Sequence, residues 1–209
     1  MGKDSMTISR RPLIVVVSGP SGVGKSTIVA RVLECRDDIR LSVSMTTRGP
    51  RAGERDGEDY FFVTEDEFAR RRDAGELLEW AAVHGNHYGT PNRYVEEQAG
   101  AGRTVLLEID VQGGMSVKKK RPGAVLVFLL PPSLEELEAR LRGRGTDDES
   151  VVRRRLKNAR WELGFFNAYD YLVVNEEIAS CADDVLDIIR AESMRRCNSS
   201  VTIDGPRDE

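Results

Sequence analysis

Residues 19–26 carry the strongest constraint on this chain: Gly19, Pro20, Ser21, Gly22, Val23, Gly24, Lys25 and Ser26 match G-x-x-x-x-G-K-[ST] in full. The context fits the motif. Leu13-Ile14-Val15-Val16-Val17, just before it, is a short and mostly β-branched apolar run that suits a strand buried in a parallel sheet. Thr27-Ile28-Val29-Ala30-Arg31-Val32-Leu33, just after it, has apolar residues at helical spacing. Strand, glycine loop and helix, in that order, form a phosphate cradle. The glycines let backbone N–H groups face inward, and the helix N-terminus adds partial positive charge. Lys25 has the reach for β- and γ-phosphates, and the Ser26 hydroxyl suits the shell of a Mg²⁺ ion.

The rest of the chain alternates strand-like and helix-like segments, which predicts a parallel sheet covered on both faces. Strands are expected at residues 39–44, 60–63, 77–83, 105–110, 124–130 and 171–174. Thr64-Glu65-Asp66-Glu67 and Ser133-Leu134-Glu135-Glu136 read as capping boxes that open helices. Thr90-Pro91 reads as another helix start, with proline in its tolerated first turn. A long helix is expected over residues 149–167 and a last one over 179–196.

Composition excludes several classes. A net charge of −4 over 209 residues argues against general nucleic-acid affinity. The basic clusters Arg70-Arg71-Arg72 and Lys118-Lys119-Lys120-Arg121 read as solvated helix faces. The longest apolar run, residues 124–130, is too short to span a bilayer, so no membrane association is expected. Cys35, Cys181 and Cys197 are odd in number and widely spaced, as for reduced thiols in a cytoplasmic protein.

A second group of motifs lies between residues 44 and 90: Ser44-Met45-Thr46-Thr47-Arg48-Gly49-Pro50-Arg51-Ala52-Gly53-Glu54, then Gly57-Glu58-Asp59-Tyr60, Glu79-Trp80 and Tyr88-Gly89-Thr90. With these and the Glu108-Ile109-Asp110-Val111-Gln112-Gly113 segment, the chain resembles the guanylate kinase family from residue 12 to residue 196. Members of that family move the γ-phosphoryl of ATP onto GMP. Three departures are small. Thr90 stands where serine also occurs, Glu108 where aspartate is frequent, and Asn175-Glu176 in place of the commoner Asn-Asp.

The resemblance implies an α/β fold of the P-loop NTPase type, a parallel sheet with helices on both faces, an inserted mixed α/β GMP-binding segment and a small lid. It divides the chain into a flexible leader (1–11), one domain (12–196) and a disordered tail (197–209). Within the domain, the core is 12–43, 91–130 and 168–196, the GMP-binding insertion is 44–90, and the lid region is about 131–167. The expected partners are ATP with Mg²⁺, and GMP or dGMP, in a monomer or homo-oligomer. A catalytically silent phosphopeptide-binding module of the same fold is the alternative reading.

Site roles follow residue by residue. Residues 19–27 and Asn175 are implied at ATP, with Arg144 and Arg155 as lid arginines. Arg48, Arg51, Tyr60 and Tyr88 match the positions that hold the GMP phosphate, and two guanidinium groups three residues apart suit one dianion. Glu79 is a charge set in an apolar strand. The family gives it the guanine edge, whose N1–H and N2–H₂ donors suit an acceptor-only carboxylate, with Ser44 and Thr90 near O6. Glu54 is a further candidate on the GMP side, expected to orient Arg or Lys side chains near the transferred group. Asp110 serves Mg²⁺, directly or through water together with Ser26, or guanine, or both. Lys25, Arg48, Arg144 and Arg155 are the expected catalytic set.

Overall fold

The computed structural model describes residues 5–204 apart from 52, 84 and 144–148. Its elements, in chain order, are β1 (Ser5–Arg10), β2 (Ile14–Ser18), α1 (Lys25–Cys35), β3 (Ile39–Leu41), β4 (Ser44–Thr46), β5 (Tyr60–Phe62), α2 (Glu65–Asp73), β6 (Leu77–Val83) and β7 (Asn86–Pro91). They continue with α3 (Asn92–Gly100), β8 (Thr104–Glu108), α4 (Val111–Lys120), β9 (Val125–Leu130), α5 (Leu134–Arg142), α6 (Glu149–Leu163), β10 (Tyr171–Val174), α7 (Ile178–Met194) and β11 (Ser199–Asp204).

Among the described residues, five strands form a parallel sheet in the order β10-β9-β2-β8-β3. Side chains alternate across it, as the pleat requires. Val15, Val17, Leu106, Val127 and Leu129 pack with Ile28 and Val32 of α1 and Val185 and Ile189 of α7. Val16, Val105, Leu107, Leu126 and Phe128 pack on the other face with Val95 of α3 and Val111 and Val117 of α4. Burial on both faces explains why these strands read as unbroken apolar runs.

The chain leaves this sheet between β3 and β4 and enters a second, mixed one of order β5-β4-β7-β6. Met45, Phe68 and Leu77 form its small core. The Thr64 hydroxyl accepts the Glu67 N–H at 3.2 Å and the Ser133 hydroxyl accepts the Glu136 N–H at 3.1 Å, so both capping boxes close at their first half. Helices α5 and α6 pair through Leu137, Leu141, Leu156 and Ala159.

Two expectations need correction. Thr90-Pro91 does lead into a helix, but one residue later than expected: these two residues end β7, which pairs with β6, and α3 starts at Asn92 with Pro91 as its N-cap rather than in its first turn. The missing proline N–H is tolerated at a strand end. The leader and tail are not both disordered either. Residues 5–10 and 199–204 form an antiparallel ribbon, with Ile8 opposite Val201 and Met6 opposite Ile203. Alternating apolar and polar positions in both segments suit this pairing. Residues 1–4 and 205–209 lie outside the described residues.

Phe128 is fully buried and meets Tyr169 edge-on, with ring centroids 4.9 Å apart. Phe128→Ala is expected to destabilise the protein by about 3–5 kcal/mol. Urea unfolding would show this as a lower midpoint at unchanged slope.

Candidate active site

The cleft opens at the carboxyl ends of the parallel strands, the position that open α/β sheets leave for ligands. Strands β2 and β8 are neighbours, with Val17 opposite Glu108. The loop after β2 and residues 108–110 after β8 are therefore side by side. Ser21, Lys25, Ser44, Tyr60, Glu79, Tyr88, Glu108, Asp110 and Glu162 line one cavity.

On the loop side, Gly24 has φ 96° and caps α1, a left-handed geometry that a side chain strains, and an added Cβ would stand 2.8 Å from Asn175 Nδ2. Lys25 Nζ donates to Gly19 O at 2.7 Å and to Pro20 O at 3.3 Å, so the ammonium lies folded along the loop. The Ser26 hydroxyl donates to Glu108 Oε1 at 2.6 Å. Asp110, expected beside Ser26, instead caps α4: its Oδ1 accepts the Gly113 N–H at 2.8 Å. It still lines the cavity, whereas Glu108 is the carboxylate that meets the serine. Sequence reasoning placed Glu108 and Asp110 on one side of the sheet but gave the first no role.

Asn175 was expected at the bound nucleotide. It is buried behind the loop, and its Nδ2 donates to Val23 O at 2.7 Å. That geometry makes it a brace for the loop.

Across the cleft stands Glu79, only 4% exposed. Alternation along β6 turns it inward, and the Thr90 hydroxyl of β7 donates to its Oε1 at 2.5 Å. Helix α4 approaches closely because residue 113 is glycine: a Cβ there would stand 2.7 Å from Glu79 Oε2. Burial, chiefly, pushes the Glu79 carboxyl from 4.5 up to about 7, with Asp110 adding repulsion and the Thr90 hydroxyl opposing both.

Arg48 grips Glu54 with two parallel bonds, its two terminal nitrogens each 2.9 Å from a carboxylate oxygen. Glu54 Oε2 also accepts the Arg51 N–H at 2.7 Å, so one carboxylate organises the Gly- and Pro-rich loop. The Arg48 guanidinium lies 5.3 Å from the Tyr60 ring centroid and 5.8 Å from that of Phe62. Glu54, chiefly, raises the arginine's pKa still further, and Tyr88 adds to this. Tyr60 and Tyr88 meet edge-on at 6.1 Å. Arg51 is exposed and does not line the cavity, although Ser44, Tyr60 and Tyr88 do.

Arg155 is half-buried on α6, whereas Arg153 and Arg154 are exposed, which separates the expected lid arginine from its solvated neighbours. Arg144 lies outside the described residues. Glu162 was missed. It lines the cavity, but in sequence it is one charge among many on a helix rich in Arg and Glu.

A family model described as guanylate kinase matches residues 9–192. The guanylate kinase of Aromatoleum aromaticum is 50% identical over 185 residues, covering 88% of this chain and 91% of that one. The guanylate kinase of Thermotoga maritima is 48% identical over 179 residues, with 86% of each chain covered. Among solved structures, the guanylate kinase from Anaplasma phagocytophilum has a TM-score of 0.78 at 39% identity, with 92% of each chain covered.

The buried carboxyl gives a stability signature. Its folded pKa lies above its unfolded value, so its stabilising contribution is complete below about pH 4.5 and is lost as pH rises through about 7. Relative to Glu79→Gln, the wild-type protein is expected to lose up to about 3 kcal/mol between pH 5 and pH 8. Urea unfolding of the two proteins across that range checks it.

Proposed function

The chain belongs to the guanylate kinase family, and from that premise we propose how its residues move the γ-phosphoryl of ATP onto GMP, giving ADP and GDP. The observation that carries the reading is one cavity holding both a phosphate-binding loop and a buried, hydrogen-bonded carboxylate. A phosphopeptide-binding module would need the arginine and tyrosine side alone. The complete loop with Lys25 and the curated relatives favour the enzyme.

On the donor side, backbone N–H groups of the loop's glycines and of the first turn of α1 hold the ATP phosphates, and Lys25 swings from its loop carbonyls onto the β- and γ-oxygens. Ser26 and Glu108, 2.6 Å apart, with Asp110 in the same cavity, form an all-oxygen set suited to Mg²⁺ held partly through water. When bound, Mg²⁺ supplies charge neutralisation between the β- and γ-phosphates. Asn175 keeps the loop in shape from behind.

On the acceptor side, Arg48 and Arg51 with the hydroxyls of Tyr60 and Tyr88 hold the GMP phosphate. Arg48 is already fixed by Glu54, which limits the entropy lost on binding. Glu79 accepts from guanine N1–H and N2–H₂, with Thr90 holding its other lone pairs and Ser44 beside the base. Adenine offers an acceptor at N1 and leaves that carboxylate unmatched. dGMP retains all these contacts. The accepting phosphate, with a second pKa of about 6, is mostly a dianion at neutral pH, so transfer needs alignment and charge stabilisation more than a general base. Arg155 and Arg144 supply positive charge to the transferring group. Among the described residues, no helix is long and apolar enough to cross a membrane. We place the enzyme in the cytoplasm, as its free cysteines suggest.

Two outcomes follow. Lys25→Met should keep the fold and lower turnover by several orders of magnitude, measured as GMP-dependent ADP release. The reading is wrong if the wild-type protein releases no ADP with GMP and Mg²⁺ present. Glu79→Gln turns one acceptor oxygen into a donor. It should raise the GMP KM by roughly 10- to 100-fold, in line with about 1–3 kcal/mol for an unsatisfied buried group, and weaken discrimination against AMP. An unchanged GMP KM would place the base elsewhere.

A further inference from the structure

Helix α6 ends against the phosphate-binding loop. Glu162, in its last turn, accepts the Ser21 backbone N–H through Oε2 at 2.9 Å, a bond between residues 141 apart in the chain. The packing of α6 on α5 does not account for it, because that contact runs through Leu156 and Ala159 against Leu137 and Leu141. Nor is the position a comfortable one for a carboxylate. It stands at the negative end of the helix dipole. Burial raises its pKa most and Asp110 raises it further, while the Ser21 N–H and Lys25 hold it down.

The same helix carries Arg155. Seven residues separate Arg155 from Glu162, so they lie two turns apart on one face. That face includes Val152 and Ala159, both buried. Leu156 and Ala159 seat α6 on α5, and the Glu162–Ser21 bond adds a tie from its last turn to the loop, so that bond helps set the azimuth and height of α6 and with them the place of Arg155. We infer that Glu162 is a positioning residue: its bond to Ser21 ties the lid helix to the phosphate-binding loop and sets where Arg155 meets the transferring phosphoryl group. The inference rests on the role of Arg155 proposed above. The loop amides take hold of ATP, so a helix hung on one of them follows the loop's geometry. Binding of the donor is thereby linked to placement of the arginine.

The test is steady-state kinetics of Glu162→Ala, Glu162→Gln, Glu162→Asp, Arg155→Ala and the Arg155→Ala/Glu162→Ala double variant, with thermal unfolding of each. Glu162→Ala should lower kcat by about 10- to 100-fold, the usual scale for a misplaced catalytic group, and move the ATP KM by less than about threefold. Glu162→Gln keeps an acceptor oxygen at the same reach and should recover most of the loss. Glu162→Asp keeps the charge but falls a methylene short, and should resemble Glu162→Ala. In the Arg155→Ala background, removing Glu162 should cost less than about a further twofold, because the two act as one unit.

A wild-type kcat in Glu162→Ala overturns the inference. So does full additivity with Arg155→Ala, or activity kept by Asp and lost in Gln, which would assign the charge rather than the bond. If Glu162→Ala fails to fold, the Gln and Asp pair decides alone. An unchanged kcat in Arg155→Ala overturns the role given to Arg155 itself, a result distinct from all of these.

Discussion

A carboxyl group shut away from water needs a partner, and three elements meet at Glu79 to enclose it and supply one. Strand β6 presents it, the β7 hydroxyl of Thr90 donates to it, and α4 closes over it at Gly113, where no Cβ intervenes. These requirements hold the mixed sheet against the parallel one along the β6–α4 seam. Lys120 of α4 adds a bond to Leu77 O at 3.2 Å on the same seam. The distance between Glu79 and the phosphate-binding loop is thus set by rigid elements rather than by a loose connection. Such placement is what a reaction driven by alignment requires.

The opposite wall is built on backbone more than on side chains. Parallel pairing of β2 with β8 delivers two loops to the same end of the sheet, and this brings Ser26 within 2.6 Å of Glu108. The loop itself is kept in shape from behind by Asn175 and from the side by α5, whose Leu141 side chain would lie 2.7 Å from a Cβ at Gly22. Arg48 is held by Glu54 on one side and by the Tyr60 and Phe62 rings on the other. Pre-arrangement of this kind limits what binding must organise.

Much of this was legible in the residues. The loop with its flanking strand and helix, the strands at 77–83 and 171–174 and both capping boxes carry local signals, and each is where its signal puts it. What stayed hidden depends on contacts distant in sequence. Residues 86–91 hold His, Gly, Thr and Pro and carry no strand signal; pairing with β6 makes them a strand. The ribbon joins segments nearly the whole chain apart, and the short alternation in each half does not say what it pairs with. At the site, the resemblance implied Glu79 and Thr90 as neighbours of one base, but not their mutual hydrogen bond. The resemblance implied Asn175 at ATP, and its hydrogen bond to Val23 O, across 152 residues, carried no signal in the sequence. Glu162 had no signal at all, since a glutamate on a charged helix is the commonest of surface residues.

The central claim is that guanine is recognised by a carboxyl group whose pKa burial raises and that must ionise to accept the base. Titration calorimetry of GMP binding at pH 7, repeated in buffers of different ionisation enthalpy, measures the protons exchanged. The account predicts net proton release on GMP binding by the wild-type protein, as the buried carboxyl gives up its proton. It predicts near-zero exchange in Glu79→Gln, since the phosphate contributes only about a tenth of a proton at that pH. Equal proton exchange in the two proteins would contradict it.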